Sequence, residues 1–226
     1  MPESRLPLVV LGLPSSAEWK RQTAVDIASL ANRAGRVCNL LICSVGGLDT
    51  SVARTAVVDT AIIQSADWIL WIDSDMSFPA QALEMLLAHD LDIVGADYRR
   101  RMPPYAPIGM AINPVDPMGM PLSTDGNVPM PETGLAEMAV LGFGVLLTRM
   151  AVFRKVPRPW FYRLWNPKDG TPGNPDGFTT EDTVFCHIAR SLGFRVWCDY
   201  ELSAKVMHIG EMMVPWNLRG KKSGQN

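Results

Sequence analysis

The chain has 226 residues, of which 47% are hydrophobic and 19% are charged, and its formal net charge is -2. This composition is typical of a globular protein and excludes a disordered chain, and the length fits one α/β domain. The small net charge excludes an overall basic field, so any contact with nucleic acid or membrane must come from a local patch.

The four cysteines carry neither a CxxC pair nor the dense spacing of a secreted disulfide scaffold. We therefore expect reduced thiols, with Cys38 and Cys43 packing as small hydrophobic residues. The longest apolar stretch, residues 139–147, is nine residues long, whereas a membrane-spanning helix needs roughly 20. The sequence predicts a cytoplasmic protein without a membrane segment.

The first two-thirds of the chain alternates short apolar runs with helical segments, which predicts a mostly parallel sheet flanked by helices. Pro14, Ser15 and Ser16 are predicted to form a turn in which a serine caps the next helix, and Thr50 or Ser51 is predicted to cap the second helix. The predicted strands are residues 8–13, a buried strand at 37–45, 68–72 and 93–96.

The rest of the chain is less regular. Residues 98–132 are rich in proline, methionine and glycine and predict a long, partly irregular excursion. Residues 135–147 predict a strand pair, or a strand with a bend, around Gly142 and Gly144. A second irregular stretch at 157–178 precedes a helix that Thr180 begins and Gly193 ends, and two short strands follow at 195–198 and 204–208.

An acidic triplet, Asp73-Ser74-Asp75, follows the apolar strand 68–72. Side chains two apart on an extended chain point the same way, so Asp73 and Asp75 can converge on one cation. Carboxylate oxygens suit Mg²⁺ or Mn²⁺, and such ions bridge pyrophosphate oxygens. The alternative is that these acids cap the helix after Pro79. A second triplet with the same spacing, Asp90-Leu91-Asp92, has no strand leading into it.

Four segments together resemble the GT-A glycosyltransferases, especially the family-2-like group. They cover roughly residues 8 to 210, and the resemblance implies a metal between a nucleotide-sugar half, 1–97, and an acceptor half, 98–210, within one domain of residues 1–226 with a tail at 211–226. The segments are the strand into Asp73-Ser74-Asp75 with Phe78-Pro79, Ala53-Arg54-Thr55 where the family usually shows Ala-Arg-Asn, Leu141-Gly142-Phe143-Gly144 with Leu146-Leu147-Thr148-Arg149, and Thr180-Glu181-Asp182 followed by Gly193-Phe194 and a strand closing on His208.

The resemblance also implies individual roles around Mn²⁺ or Mg²⁺ and a nucleotide-sugar donor, with UDP-sugar favoured over GDP-sugar. Asp75 would be the principal metal ligand, Asp73 would contact the donor ribose or the metal through water, and His208 would be the third metal contact. The donor would also contact Pro14, Ser15, Arg54 and Ser74. The alternatives are a solvated helix arginine for Arg54 and a surface histidine for His208.

For an inverting transfer, the resemblance points to a base in Glu181-Asp182, with Asp182 favoured. A carboxylate within hydrogen-bond reach of the acceptor hydroxyl can take its proton. The alternative is that both acids complement the dipole at the start of their helix. A retaining enzyme would not need this base.

The acceptor side is predicted from aromatic and basic residues. Trp160, Tyr162 and Trp165 could stack on a sugar or a nucleobase, or could cover the sheet. Arg99, Arg100 and Arg101 could bind phosphates of the donor or of a polymeric acceptor, or could form a solvated turn. The remaining basic residues near the end of the chain are Arg219, Lys221 and Lys222.

A compact, stand-alone enzyme without membrane anchors is similar to phage-encoded GT-A proteins. Some of those proteins glycosylate hydroxymethylated bases in DNA. That similarity makes phage DNA one expected acceptor, in the host cytoplasm, and a saccharide or small molecule the other. A nucleotidyltransferase is disfavoured because residues 11–15 lack a glycine-rich basic loop, and no Walker sequence is present. A catalytically silent nucleotide- or sugar-binding module is the remaining alternative.

Overall fold

The protein is described by a computed structural model that covers residues 5–15, 18–113, 121–123, 131–165, 177–210 and 213–215. The helices are α1 (Arg21–Ala34), α2 (Thr50–Ile63), α3 (Ala82–Ala88), α4 (Met150–Lys155), α5 (Glu181–Ser191) and α6 (Tyr200–Ser203). The strands are β1 (Leu8–Ser15), β2 (Asn39–Gly46), β3 (Trp68–Ile72), β4 (Met76–Ser77), β5 (Ile93–Gly95), β6 (Met110–Ile112), β7 (Pro121–Ser123), β8 (Leu135–Val140), β9 (Val145–Arg149), β10 (Leu164–Trp165), β11 (Phe178–Thr179), β12 (Val196–Asp199), β13 (Met207–Ile209) and β14 (Met213–Pro215).

Nine strands form one sheet in the order β2-β1-β3-β9-β5-β12-β8-β6-β7. The pairings of β1 with β2, β1 with β3, and β5 with β12 are parallel. The other five pairings are antiparallel, because β9 runs against both β3 and β5, β8 runs against β12 and β6, and β7 runs against β6. The sheet is therefore mixed, and the predicted mostly parallel sheet is wrong on this point.

Helices cover both faces of the sheet, and β3 shows how the sequence achieves this. Its five residues are all buried, with alternate side chains entering opposite layers. Ile69 and Trp71 join the apolar layer that contains α2 and α5, whereas Leu70 and Ile72 join the layer that contains α1 and α3. A strand buried on both faces must be apolar throughout, which is why this segment was readable from sequence.

Several local predictions are corrected at element ends. β1 continues through Pro14 and Ser15, so these two residues complete a strand where a turn was predicted. α1 begins after Lys20, which makes no side-chain cap, and Ser16 lies outside the described residues. The cap of α2 is Asp49, whose carboxylate accepts the Ser51 N–H at 2.9 Å. Asp can accept from the first turn as readily as serine or threonine.

The strand predicted to be buried at 37–45 is the edge strand β2. None of its residues is fully buried, because β1 is its neighbour on one side alone, and from Leu41 onward half-buried and exposed residues alternate with the two faces of the strand. Of the two thiols in this region, Cys38 is buried and Cys43 is half-buried, and both are free. Burial raises the pKa of Cys38 to about 11, which agrees with its predicted role as a small hydrophobic residue.

The irregular excursion begins with a hairpin, residues 98–108, which we call the arginine hairpin. Its ends are joined by a bond from the Ile108 N–H to the Tyr98 carbonyl at 2.9 Å. The buried carboxylate of Asp97 accepts the N–H groups of Tyr98 at 2.8 Å and Gly109 at 2.7 Å, so one side chain fixes both ends. The hairpin therefore has a defined position beside the sheet.

The two strands at 135–149 are not paired with each other. The turn at Gly142 and Gly144 sends the chain from β8 to β9, which lies three places away in the sheet. Within the described part of the chain, no helix has both the length and the apolar character needed to cross a membrane.

Candidate functional site

The predicted donor-binding residues lie at one end of the two central parallel strands. In the pairing of β1 with β3, Gly12 is opposite Trp71, so two further residues bring Pro14 and Asp73 to the same edge of the sheet. The carbonyl of Ser15 accepts the Gly47 N–H at 3.1 Å, and that of Ser74 accepts the Lys20 N–H at 2.9 Å. Ligands of open α/β sheets bind at such carboxyl ends.

Arg54 connects Asp73 with the start of α5. Its Nη2 donates to Asp73 Oδ1 at 3.2 Å and its Nη1 to Glu181 Oε1 at 2.8 Å. The side chain is 4% exposed, and the guanidinium lies 4.8 Å from the centre of the Phe143 ring. Arg54 is therefore a buried ion-pair partner of two acids, and the alternative of a solvated helix arginine is wrong.

The electrostatics of this group follow from its burial. Burial lowers the pKa of Arg54, but the charges of Asp73 and Glu181 outweigh that effect and leave the pKa raised. Burial also raises the pKa of Asp73 and of Glu181, and the charge of Arg54 only partly opposes the rise. The charge of Arg54 thus favours the ionised form of both carboxylates.

Asp75 belongs to a second group with His208 and Arg101. Its Oδ2 lies 2.7 Å from Arg101 Nη1 and 3.2 Å from His208 Nε2. A backbone hydrogen bond also joins Asp75 to β13, since the Ile209 N–H donates to the Asp75 carbonyl at 2.7 Å. Burial raises the pKa of Asp75, but the hydrogen bond and charge of His208 and the charge of Arg101 outweigh it, so the pKa is lowered.

The tautomer of His208 bears on metal binding. Its Nδ1 lies 3.0 Å from the carbonyl of Arg99, which can only accept, so Nδ1 carries a proton. Nε2 then faces Asp75 Oδ2 at 3.2 Å, where either a proton on Nε2 donates to the carboxylate or, in the neutral ring, a cation lies between the two groups. A divalent cation is therefore one of two occupants that fit Asp75 and His208, and it would replace the hydrogen bond between them.

These two residues supply an incomplete coordination shell. Within the described ranges, no group of three or more His, Cys, Asp or Glu side chains is placed to hold a metal ion. Mg²⁺ is commonly held by one or two carboxylates together with substrate phosphates and water. The donor set here fits a cation that completes its shell with oxygens from a ligand.

Glu181 and Asp182 open α5 beside Arg54. Asp182 Oδ1 accepts the Thr183 N–H at 2.8 Å and also the Thr180 hydroxyl. Thr180 occupies the cap position as predicted, but its side chain makes no bond to the helix backbone. The Asp182 carboxylate accepts the Thr183 N–H instead. Asp182 is half-buried, and both of its described bonds go to Oδ1.

Tyr98 begins the basic run that was predicted to bind phosphates, but its contacts at the site were not predicted. Its hydroxyl accepts the Gly144 N–H at 3.0 Å, and its ring meets that of His208 edge-on at 5.5 Å between centroids. A Cβ atom at Gly142 or Gly144 would lie 2.5 or 2.6 Å from the Tyr98 side chain. The glycine pair was therefore the available signal, because it marks a close approach.

The three aromatic residues predicted to bind the acceptor differ in their exposure to solvent. Trp160 is 4% exposed, and its Nε1 donates to the Phe153 and Val156 carbonyls, so it covers the sheet and the acceptor prediction for it is wrong. Tyr162 is half-buried, whereas Trp165 is 63% exposed. Trp165 pairs with Phe178 across β10 and β11, four residues before Asp182. Trp165 is thus held at a fixed register from the acidic pair.

The three arginines also differ. Arg99 Nη1 donates to the Tyr105 carbonyl at 2.9 Å inside the arginine hairpin, Arg100 is exposed, and Arg101 contacts Asp75. The basic residues Arg219, Lys221 and Lys222 lie outside the described residues.

The alternative roles of the acidic triplet can be compared with its contacts. α3 is preceded by Gln81 at its cap position, with no side-chain cap, so Asp73 and Asp75 do not cap this helix.

His208 is 14% exposed and bonded through both ring nitrogens, which excludes a plain surface histidine.

Comparisons with known proteins show the fold. No protein-family model and no curated protein matches the chain. Fifty-nine chains of solved structures match it. One is the crystal structure of A197 from STIV, with 15% sequence identity, a TM-score of 0.56, and coverage of 98% of this chain and 100% of that chain. The chain therefore has the mixed α/β fold of a known protein over almost its whole described length.

Proposed function

We propose that the protein is a cation-dependent glycosyltransferase that moves a sugar from a nucleotide-sugar donor to an acceptor hydroxyl. The observation that carries the proposal is the pairing of Asp75 Oδ2 with His208 Nε2 at 3.2 Å, next to Asp73 at the carboxyl ends of β1 and β3. A ligand-facing carboxylate and an imidazole nitrogen suit Mn²⁺ or Mg²⁺ bound together with a diphosphate.

Each residue has a chemical task in this proposal. The cation, held by Asp75 and His208, would stabilise the negative charge of the departing diphosphate. Arg54 favours the ionised form of Asp73 and binds Glu181 at the start of α5. Pro14, Ser15 and Ser74 would line the nucleotide at the sheet edge, with UDP as the favoured nucleotide.

The transfer itself needs a base if the reaction inverts the anomeric centre. The acceptor oxygen forms a bond to the anomeric carbon while the bond from that carbon to the diphosphate oxygen breaks. The electron pair leaves with the diphosphate, and Asp182 accepts the proton of the acceptor hydroxyl. Asp182 is favoured over Glu181 because Glu181 Oε1 is already bound to Arg54 at 2.8 Å.

The acceptor that we propose is DNA with hydroxymethylated bases. Trp165 provides an exposed aromatic face on β10, which pairs with the strand that leads into α5, and Arg100 provides an exposed charge on the arginine hairpin. A base in duplex DNA must leave the stack to reach such a site, and an aromatic face can hold it. Phosphate contacts would make the activity fall as salt rises.

The first experiment measures release of nucleoside diphosphate from UDP-sugars and GDP-sugars with Mn²⁺, for the wild type and Asp75→Asn. We expect release from one donor, and loss of that release in the variant and with chelator. A folded protein that binds a donor with Mn²⁺ but does not hydrolyse it would favour the silent binding module, and one that neither binds nor hydrolyses any donor would contradict the transferase.

The second experiment adds acceptors to the active donor. Hydroxymethylated DNA is expected to accept sugar, and unmodified DNA of the same sequence serves as the matched control. Trp165→Ala is expected to raise the KM for this DNA by about tenfold. Transfer to saccharides, with none to the modified DNA, would contradict the DNA acceptor and keep the transferase.

A further inference from the structure

Arg101 lies on the oxygen of Asp75 that a cation would need. Its Nη1 is 2.7 Å from Asp75 Oδ2, and His208 Nε2 approaches the same oxygen at 3.2 Å. Because His208 Nε2 faces Oδ2, a divalent ion held jointly by that nitrogen and by Asp75 would take this same oxygen. The guanidinium and the ion therefore compete for one carboxylate oxygen.

We propose that Arg101 is a positioning residue that opposes cation binding in the free protein and binds the donor diphosphate once cation and donor are both present. This inference rests on the proposed function, since it assigns to Arg101 a part in binding the donor of that same site. It predicts that the cation and the nucleoside diphosphate bind with positive cooperativity.

The backbone of Arg101 is fixed, whereas its side chain has room to move. The Arg100 N–H donates to the Ala106 carbonyl at 2.9 Å within the arginine hairpin. A Cβ atom built at Gly210 would lie 2.9 Å from the Arg101 carbonyl oxygen, so β13 is followed by a close backbone contact with the hairpin. The Arg101 side chain is nevertheless 55% exposed. Rotation of this side chain can release Asp75 without moving the hairpin.

Charge explains why release depends on the donor. A cation that arrives alone displaces a guanidinium from Asp75 and leaves two positive charges close together. A cation that arrives with a diphosphate brings oxygens that the displaced guanidinium can bind, and arginine pairs well with phosphate. When the cation and the diphosphate bind together, the diphosphate therefore neutralises the repulsion between the cation and the guanidinium.

The test measures Mn²⁺ binding directly, by the electron paramagnetic resonance signal of free Mn²⁺. We expect Arg101→Gln to tighten the Kd for Mn²⁺ alone by about fivefold, because the variant removes the competing ion pair. Arg101→Lys retains the charge and is expected to fall between the two. Arg100→Gln removes the same charge one residue away, and we expect its Kd to stay within twofold of the wild type.

The second arm measures UDP binding at saturating Mn²⁺ by calorimetry. Here Arg101→Gln is expected to weaken UDP by about fivefold, since the guanidinium that would bind the phosphates is gone. The same substitution thus acts in opposite directions on the two ligands. Asp75→Asn should abolish the Mn²⁺ effect of Arg101→Gln, which ties that effect to this carboxylate.

The outcomes separate this inference from the proposed function. Equal Mn²⁺ affinity in the wild type and Arg101→Gln, or no Mn²⁺ binding by either, overturns the inference even if donor is bound. Tighter Mn²⁺ binding with unchanged UDP affinity overturns the assignment of Arg101 to the diphosphate. If the wild type binds no nucleotide but Arg101→Gln still tightens Mn²⁺, the proposed function falls while the competition at Asp75 stands.

Discussion

The two acidic triplets have the same spacing but occupy different environments. Asp73 and Asp75 follow β3 at the carboxyl end of the parallel strands, and their side chains are 28% and 17% exposed. Asp90 and Asp92 precede β5, and their side chains are 83% and 44% exposed. Both of these acids bind Arg149, which stacks on Trp68 at 3.9 Å.

The difference lies in how the cationic partners are distributed. Asp90 and Asp92 share one arginine near solvent, and water screens the negative charge that this arginine leaves unpaired. Asp73 and Asp75 have separate partners, Arg54 and Arg101, and each partner links its acid to another part of the chain. Under the proposed function, partial burial and an exchangeable partner would distinguish the triplet that binds a ligand.

The largest contrast between the triplets should appear in stability. Arg54→Met leaves Asp73 and Glu181 without their shared partner in a partly buried setting, and we expect it to lower the free energy of unfolding by about 3–5 kcal/mol. Arg149→Met, the matched control, removes a partner of exposed acids and should cost less than about 1 kcal/mol. Urea unfolding of the three proteins measures both values, and equal losses would contradict the contrast.

The arginine hairpin contacts the first triplet through Arg101 and Asp75, and the buried carboxyl group of Asp97 holds both ends of this hairpin. Burial raises the pKa of Asp97 to about 7, against bonds from the Gly109 and Tyr98 N–H groups and the charge of Arg99. The folded state thus holds a proton that the unfolded chain releases at an ordinary carboxyl pKa, near 3.8. The stability from this group is complete below about pH 4 and is lost as the pH rises to about 7.

Asp97→Asn should remove this component of the pH dependence. The wild type is expected to lose up to about 4 kcal/mol relative to the variant between pH 4 and pH 7, with no further divergence above pH 8. Unfolding free energies of both proteins across this range provide the measurement. Parallel stability curves would show that Asp97 titrates normally in the folded protein.

The triplets should also differ in activity. Asp75→Asn keeps the shape of the side chain but removes the charge that would hold the cation, and we expect the release of nucleoside diphosphate to fall by about 100-fold. Asp92→Asn is the matched control and should leave the rate within twofold of the wild type. A comparable loss in both variants would place the effect outside the proposed site.

The smallest effect concerns the position of Arg101. Alanine at Gly210 would place its Cβ within 3.0 Å of the Arg101 backbone and side chain, so the hairpin must shift by a few tenths of an ångström. We expect this shift to weaken the Arg101–Asp75 contact and to tighten Mn²⁺ binding by about twofold. Gly35→Ala is the control, because its added Cβ meets no atom within 4 Å. Unchanged Mn²⁺ affinity in Gly210→Ala would argue against a close-packed hairpin.

The sequence predicted those parts of the fold that depend on local pattern. β3, α1, α2 and α5 were located within a few residues, because an apolar run or a helical period marks each of them. The same local pattern led to Asp73 and Asp75, whereas Arg54 and Glu181 came from the resemblance. The structure joins Arg54 to Asp73 and Glu181.

Long-range pairing was not predictable in the same way. Nothing in residues 145–149 indicates that they run antiparallel between β3 and β5, and nothing in residues 39–46 marks β2 as an edge strand. The burial of Trp160 and the contact of Arg101 with Asp75 likewise depend on segments far apart in the chain. Such contacts are decided by packing, which residue type and spacing do not specify.

The central position of β9 has a consequence for how the protein is made. β5 pairs with β9 and β12 alone among the described strands, and β9 also completes the open side of β3. A ribosome that has released only the first hundred residues has therefore produced the acidic triplet on a strand that lacks one of its neighbours. Formation of the site must await residues 145–149, which favours slow, late assembly over folding from the amino terminus. A truncated amino-terminal half is accordingly expected to be a poor binding fragment, even though it contains both acids of the triplet.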